Sequence, residues 1–142
     1  MNKILVATEK PFAPVAVAGI LEVARAAGYE LELLERYGNR DELLAAVATA
    51  DALIVRSDKI DAEVIAAAPD LKIIIRAGAG YDNIDLAAAT ARNIIVENTP
   101  GQNSNAVAEL VFGLAVMAAR KMFAGTSGFE LKGKKLGIHA FG

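Results

Sequence analysis

The chain has 142 residues, of which 54% are hydrophobic and 6% aromatic, and its formal net charge is −2. This length allows one domain with its own core, built mainly from Ala, Val, Ile and Leu. A slightly acidic chain without a basic cluster argues against a nucleic-acid-binding protein. The absence of cysteine excludes disulfides and thiol chemistry. The single histidine, His139, predicts no metal site.

Short apolar runs alternate with helical stretches along the first hundred residues. Gly28 is a plausible helix C-cap, and Asp61 and Asp85 are plausible N-caps. Regular strand–helix alternation predicts an α/β fold with a doubly wound, flavodoxin-like sheet of five parallel strands. No signal peptide precedes the first strand, which predicts a soluble cytoplasmic protein. The predicted strands are 3–7, 30–34, 52–56, 71–76 and 93–97, and the helices are 13–27, 40–49, 61–67 and 85–92.

Two neighbouring strands end in an arginine. The run at 51–55 leads into Arg56 and Ser57, and the run at 71–75 leads into Arg76 and the turn with Gly78 and Gly80. Ligands of open α/β sheets bind where parallel strands end, and arginines there favour a small anion, a carboxylate or a phosphate. The alternative is that each arginine pairs with a local carboxylate, for instance Asp58 or Asp82.

The segment 103–122 predicts a helix of unusual composition. Between residues 106 and 119 its only charged side chain is Glu109, and apolar residues occupy nearly the whole circumference. A helix of this kind must be covered on several sides, and it is too short for a bilayer, which needs about 20 residues. A core helix is one interpretation, but an interface with a second domain or subunit is favoured.

Residues 125–128 indicate a loop or hinge, and residues 135–142 indicate a new strand. Its end, at Ala140 and Gly142, is similar to the opening of a dinucleotide-binding fingerprint. A last strand of the first sheet is an equal alternative. The predicted division is an α/β domain at 1–101, an interdomain or dimerisation helix at 102–124, and a linker with the start of a further segment at 125–142.

Three motifs together resemble the D-2-hydroxyacid dehydrogenases: Ala52–Ser57, Arg76–Asp85 and Asn98–Ser104, followed by the helix from Ala106. The resemblance covers the whole chain and implies NAD-dependent oxidation of a 2-hydroxy acid. In the most similar branch of the family the substrate is 3-phosphoglycerate, at the entry to serine biosynthesis. The flavodoxin-like sheet would then be the family's substrate domain, and residues 137–142 would open its NAD domain.

The resemblance also implies residue roles. The substrate phosphate would lie by Arg56 and Ser57 with Arg76 nearby, and the substrate carboxylate on the amides of Gly78, Ala79 and Gly80. Asn103 would line the interdomain cleft. NAD would contact Ala79, Ala140 and Gly142. The family's catalytic arginine, glutamate and histidine would lie beyond residue 142, so no catalytic residue, no bound NAD and no activity are expected of this chain alone.

Two other classes of α/β protein, the flavodoxins and the receiver domains, do not fit this sequence. A flavodoxin needs a hydroxyl- and glycine-rich phosphate loop where this chain has residues 8–12, and a receiver domain needs an aspartate where it has Arg56. A stand-alone binding domain or an engineered half-enzyme without a catalytic role stays open. The expected partners are a small anionic substrate and a second copy through helix 103–122, with residues 103–142 either exchanged or not. No membrane or nucleic-acid partner is expected.

Overall fold

The computed structural model describes residues 2–139, and the chain divides into two compact units, Met1–Gln102 and Asn103–Gly142. Strands and helices alternate through the first unit, as the sequence predicts. The strands are β1 (Lys3–Thr8), β2 (Glu30–Glu35), β3 (Ala52–Val55), β4 (Ile73–Arg76) and β5 (Ile95–Asn98), and the helices are α1 (Pro14–Ala26), α2 (Arg40–Val47), α3 (Ala62–Ala67) and α4 (Leu86–Ala91).

The five strands form one parallel sheet in the order β2-β1-β3-β4-β5, which confirms the predicted α/β sheet. Right-handed crossovers put a helix on one face when the chain moves toward β2 and on the other face when it moves toward β5. Accordingly α1 covers one face, while α2, α3 and α4 enclose the core on the other. The direction of winding reverses between β1 and β3, the point where open α/β sheets bind ligands.

The predicted helix caps are confirmed. The carboxylates of Asp61 and Asp85 accept hydrogen bonds from the backbone N–H groups of Val64 and Ala88. Gly28 follows the last residues of α1 with a φ of +77°, the left-handed conformation that a helix end favours and that glycine adopts without strain. These local signals therefore set the ends of three helices.

Asp61 is expected to stabilise the domain through both its cap and its charge. Burial acts to raise the pKa of Asp61, but hydrogen bonds from Val64 and Arg40 and the charges of Arg40 and Lys59 outweigh it, so the pKa is lowered. A lowered folded-state pKa means that the stabilisation is complete above the unfolded value of about 3.9 and is lost as the pH falls through the folded value.

We expect Asp61→Ala to cost about 1 kcal/mol at pH 7 through the lost cap alone. Asp61→Asn keeps the cap, so it should be milder at pH 7 and should flatten the loss of stability in acid. Urea unfolding at pH 7 and pH 3 measures both effects. Equal acid sensitivity of Asp61→Asn and the parent chain would show that the charge contributes nothing.

The second unit begins with α5 (Ser104–Ala119), followed by a 3₁₀ turn at Lys121–Phe123. The chain then returns to the end of α5, where the N–H of Phe129 donates to the carbonyl of Ala119 over 2.9 Å. A side chain on Gly128 would lie 2.1 Å from that carbonyl oxygen, so only glycine allows this approach. Among the described residues, no helix is long and apolar enough to cross a bilayer.

One predicted element is not confirmed by the described residues. The described part of the expected last strand, residues 135–139, is irregular. A strand persists only where a neighbour receives its hydrogen bonds, and within residues 2–139 no strand pairs with this segment. Ala140 and Gly142, the fingerprint residues predicted to contact NAD, lie outside the described residues.

Candidate functional site

The candidate site is the edge of the sheet where β3, β4 and β5 end. Strand register places Val55, Arg76 and Asn98 side by side in one row across the three strands. The residues that follow this row form the loops at the carboxyl edge, so Arg56 and Arg76 leave the sheet at the same edge. The sequence prediction that both arginines share one edge is therefore confirmed.

The turn after β4 is held by backbone bonds on both sides. The N–H of Ala77 donates to the carbonyl of Val55 over 2.8 Å, and the N–H of Thr99 donates to the carbonyl of Gly78 over 2.9 Å. The Asn98 side-chain amide donates to the carbonyl of Ala79 over 2.7 Å. The turn is thus tied to β3 and to the end of β5, which fixes it against the sheet.

The amides of this turn differ in their availability. The N–H of Gly78 turns back to the carbonyl of Arg76 over 2.8 Å. Those of Ala79 and Gly80 have no acceptor within residues 2–139. Successive unpaired amides in a turn form a concavity suited to an anion. Ala79 and Gly80 are therefore the amides best placed to receive a carboxylate.

Arg76 packs against Gly78. A Cβ atom on Gly78 would lie 1.0 Å from Nη1 of Arg76, so the missing side chain leaves the space that the guanidinium occupies. Its Nε is buried and has no hydrogen-bond partner within residues 2–139. A buried guanidinium N–H without an acceptor is costly, and because the buried Nε is closed to a ligand, an anion would have to bind the terminal nitrogens of this guanidinium.

Arg56 is anchored differently. Its Nη1 donates to the carbonyls of Lys10 and Pro11, each over 2.9 Å, and its guanidinium lies 5.4 Å from the centre of the Phe12 ring. The β1–α1 loop therefore holds this side chain across the point where the winding of the sheet reverses. Within residues 2–139 neither Arg56 nor Arg76 forms a salt bridge, so neither pairs with the local carboxylate considered as the alternative.

A buried carboxylate, Asp58, lies beside Arg56. It accepts from the N–H of Glu9 over 2.8 Å, from the Tyr37 hydroxyl over 2.7 Å and from the N–H of Arg56 over 3.4 Å. Burial, followed by the hydrogen bond to Asp58, raises the pKa of the Tyr37 hydroxyl. Tyr37 thus stays protonated and remains a hydrogen-bond donor.

The remaining predicted residues are placed as follows. Ser57 is exposed directly after Arg56. Asn103 belongs to the second unit, where it precedes α5 and makes no side-chain cap. Sequence reasoning left Asn98 and Asp58 out of the site. Asn98 could have been found as the polar last residue of the next strand, whereas only tertiary structure shows the three donors around Asp58.

These features define an open parallel α/β domain whose carboxyl edge carries two arginines and two unpaired amides. Residues 7–130 match the family described as D-isomer specific 2-hydroxyacid dehydrogenase, catalytic domain. The match covers well over half of the chain, and the chain belongs to this family.

Relatives support the more specific resemblance to D-3-phosphoglycerate dehydrogenases. A D-3-phosphoglycerate dehydrogenase of Mycobacterium bovis is 46% identical over 118 residues, covering 73% of this chain and 22% of the relative. An NAD⁺-bound 3-phosphoglycerate dehydrogenase of Entamoeba histolytica has 51% identity and a TM-score of 0.89, covering 92% of this chain and 43% of the other. A hydroxypyruvate reductase of Thermotoga maritima is 41% identical over 127 residues, covering 80% of this chain and 42% of the relative. The chain therefore spans less than half the length of these relatives.

Proposed function

We propose that the chain is the substrate-binding part of an NAD-dependent D-3-phosphoglycerate dehydrogenase of serine biosynthesis. The names of the mycobacterial and amoebic relatives support the substrate class. The observation that carries the proposal is the pair Arg56 and Arg76, which leave the sheet at the same carboxyl edge and form no salt bridge within residues 2–139. An anion at this edge would balance their charge.

The residues at this edge would bind and orient a molecule with two anionic ends. The guanidiniums of Arg56 and Arg76 present planar donor groups that suit a phosphate, with the Ser57 hydroxyl beside them. The amides of Ala79 and Gly80 would receive the carboxylate. Fixing both ends orients the C2 hydroxyl between them, which is the positioning that a substrate domain contributes to catalysis.

NAD supplies the hydride acceptor in the reaction of the family when it is bound. In this chain Ala79 is the only predicted NAD contact within the described residues, and its carbonyl already receives the Asn98 amide. The NAD contacts thus stay predictions. We propose that residues 1–142 alone bind substrate but transfer no hydride, because the family's proton-transferring histidine has no counterpart at the carboxyl edge described above.

The Thermotoga relative suggests a second substrate class, a 2-hydroxy or 2-keto acid without phosphate. The two arginines at the carboxyl edge favour the phosphorylated acid. A ligand with a carboxylate and no phosphate would bind either the arginines or the amides of Ala79 and Gly80, but not both. A comparison of 3-phosphoglycerate with glycerate distinguishes the two classes.

We expect inorganic phosphate and 3-phosphoglycerate to shift the amide NMR signals of Ser57 and of residues 78–80. The affinity should be millimolar, because Ser57 and Gly80 are exposed to solvent. Glycerate should bind more weakly and should spare Ser57. With NAD present, no NADH should form. Equal binding of glycerate and 3-phosphoglycerate would favour the second substrate class, and absence of all shifts would overturn the proposed site.

We also propose that α5 mediates a homodimer of the enzyme. Leu110 (59% exposed) and Leu114 (51%) lie on one side of this helix, and Phe112 (66%) lies on the opposite side. Soluble proteins rarely leave large apolar surface uncovered. A second copy would bury the side that carries Leu110 and Leu114.

A further inference from the structure

Asp58 and Thr8 are the buried polar side chains among residues 2–139, and Asp58 is 6% exposed. Its carboxylate meets no cation there. Instead it accepts two backbone N–H groups and one hydroxyl, from three different loops at the carboxyl edge. A buried charge held only by neutral donors is costly unless its geometry is well defined, which suggests a role beyond the general packing of the core.

The hydrogen bonds of Asp58 fix the surroundings of Arg56. Asp58 binds the N–H of Arg56 itself and the N–H of Glu9, the residue that opens the β1–α1 loop. The next two residues of that loop, Lys10 and Pro11, supply the carbonyls that receive Nη1 of Arg56. One carboxylate therefore holds both the backbone of the arginine and the loop that receives its side chain.

This arrangement leaves donors for a ligand. A guanidinium has five N–H donors, and those of Nη1 are directed to the two loop carbonyls. Within residues 2–139 the Nε and Nη2 groups of Arg56 have no acceptor. If the β1–α1 loop moved away, Nη1 would lose its acceptors and the Arg56 side chain would sample many rotamers. Binding a ligand would then cost side-chain entropy.

The backbone of Asp58 extends the network to the next loop. Its carbonyl accepts from the Asn83 side-chain amide over 2.8 Å, and the same amide reaches the carbonyl of Arg56 over 3.3 Å. The N–H of Ile60 in turn donates to the carbonyl of Asn83 over 2.8 Å. The segment around Asp58 is therefore fixed against the β4–α4 loop as well as the β1–α1 loop.

We infer that Asp58 is a positioning residue of the anion site, acting through Arg56. The inference rests on the proposed function for its ligand. The charge of Asp58 alone would weaken anion binding, because a carboxylate near an anion site repels the ligand. The inferred role is the opposite, since Asp58 would strengthen binding by holding Arg56 in place. The geometric benefit of a fixed Arg56 must then exceed that repulsion.

The test compares two variants with the parent chain by phosphate titration. Asp58→Ala removes all three bonds and should weaken phosphate binding about tenfold, the size of one charge-assisted contact. Asp58→Asn keeps the one oxygen that receives both Glu9 and Tyr37, loses only the long 3.4 Å contact with the N–H of Arg56 and removes the repulsion. Its affinity should therefore stay within about threefold of the parent chain. Equal losses in Asp58→Ala and Asp58→Asn would mean that the charge itself matters, which would overturn the inference.

Two controls separate positioning from stability. Val47→Ala creates a cavity in the buried end of α2 and should lower the melting temperature without changing phosphate affinity. In an Arg56→Ala background, adding Asp58→Ala should cause no further loss of affinity. A second full loss there would show that Asp58 acts independently of Arg56.

A ligand-free measurement keeps the two proposals distinguishable. If the parent chain shows no phosphate shifts, the proposed function fails. The Arg56 Nε–H NMR signal then still reports on Asp58. A signal that moves in Asp58→Ala and returns in Asp58→Asn supports the positioning role, and an unchanged signal in both variants contradicts it.

Discussion

Replacing Arg76 by alanine is expected to weaken phosphate and 3-phosphoglycerate binding about 10- to 100-fold, the equivalent of one or two charge-assisted hydrogen bonds. Arg76 should matter more than Arg56, because the Nη1 group of Arg56 already donates to two loop carbonyls. The Nε of Arg76 is buried without a partner among residues 2–139. Removing it should therefore leave the fold intact, and NMR titration measures the affinity.

Two further variants sharpen this result. Gly78→Ala would place a methyl group where Nη1 of Arg76 lies, so it should displace the guanidinium and weaken binding while retaining its charge. Arg25→Ala, an exposed position in the last turn of α1, removes the same charge at the opposite edge of the sheet and should have little effect. If Arg25→Ala lost as much phosphate affinity as Arg76→Ala, the effect of Arg76 would come only from the net charge of the chain and not from its place at the site.

The sheet of the first unit was predictable because local signals and long-range packing agree. The β-branched run at Ile73–Ile75 favours a buried parallel strand, and its neighbours complete the ladder. Asp61 and Asp85 mark helix starts by hydrogen bonds that span only three residues. Such signals need no knowledge of the rest of the chain.

The parts that could not be predicted depend on distant partners. Asp58 receives donors 49 and 21 positions away, from Glu9 and Tyr37, and no local pattern indicates such pairings. The turn glycine Gly78 was expected to admit a ligand to the backbone, but the structure places the Arg76 guanidinium in that space. Residues 135–139 have strand composition yet no strand partner in the described chain, because composition does not supply a neighbour.

The composition of α5 predicts that the chain assembles with a second copy. Leu110 and Leu114 are four residues apart, so they lie on one side of the helix, and both are more than half exposed. Burying apolar surface contributes about 25 cal/mol per Å², and stable interfaces bury about 1,600 Å² in total. We therefore expect the chain to sediment as a dimer at tens of micromolar, with a two-fold axis beside these leucines.

Leu110→Asp together with Leu114→Asp should shift this equilibrium to monomer, because two carboxylates would have to lose their hydration in the interface. Ala108→Asp is the matched control. It adds one carboxylate to the same helix, about 200° around the axis from Leu110, and should leave the dimer largely intact. Sedimentation velocity measures both, and a hydrogen-exchange comparison of α5 in dimer and monomer locates the protected face.

If the leucine variant remains dimeric, the contact lies elsewhere or residues 103–142 are exchanged between copies, which a disulfide-trapping experiment across the loop at 98–102 would detect. A parent chain that sediments as a monomer, with α5 protected from exchange, would show that its own chain covers the helix.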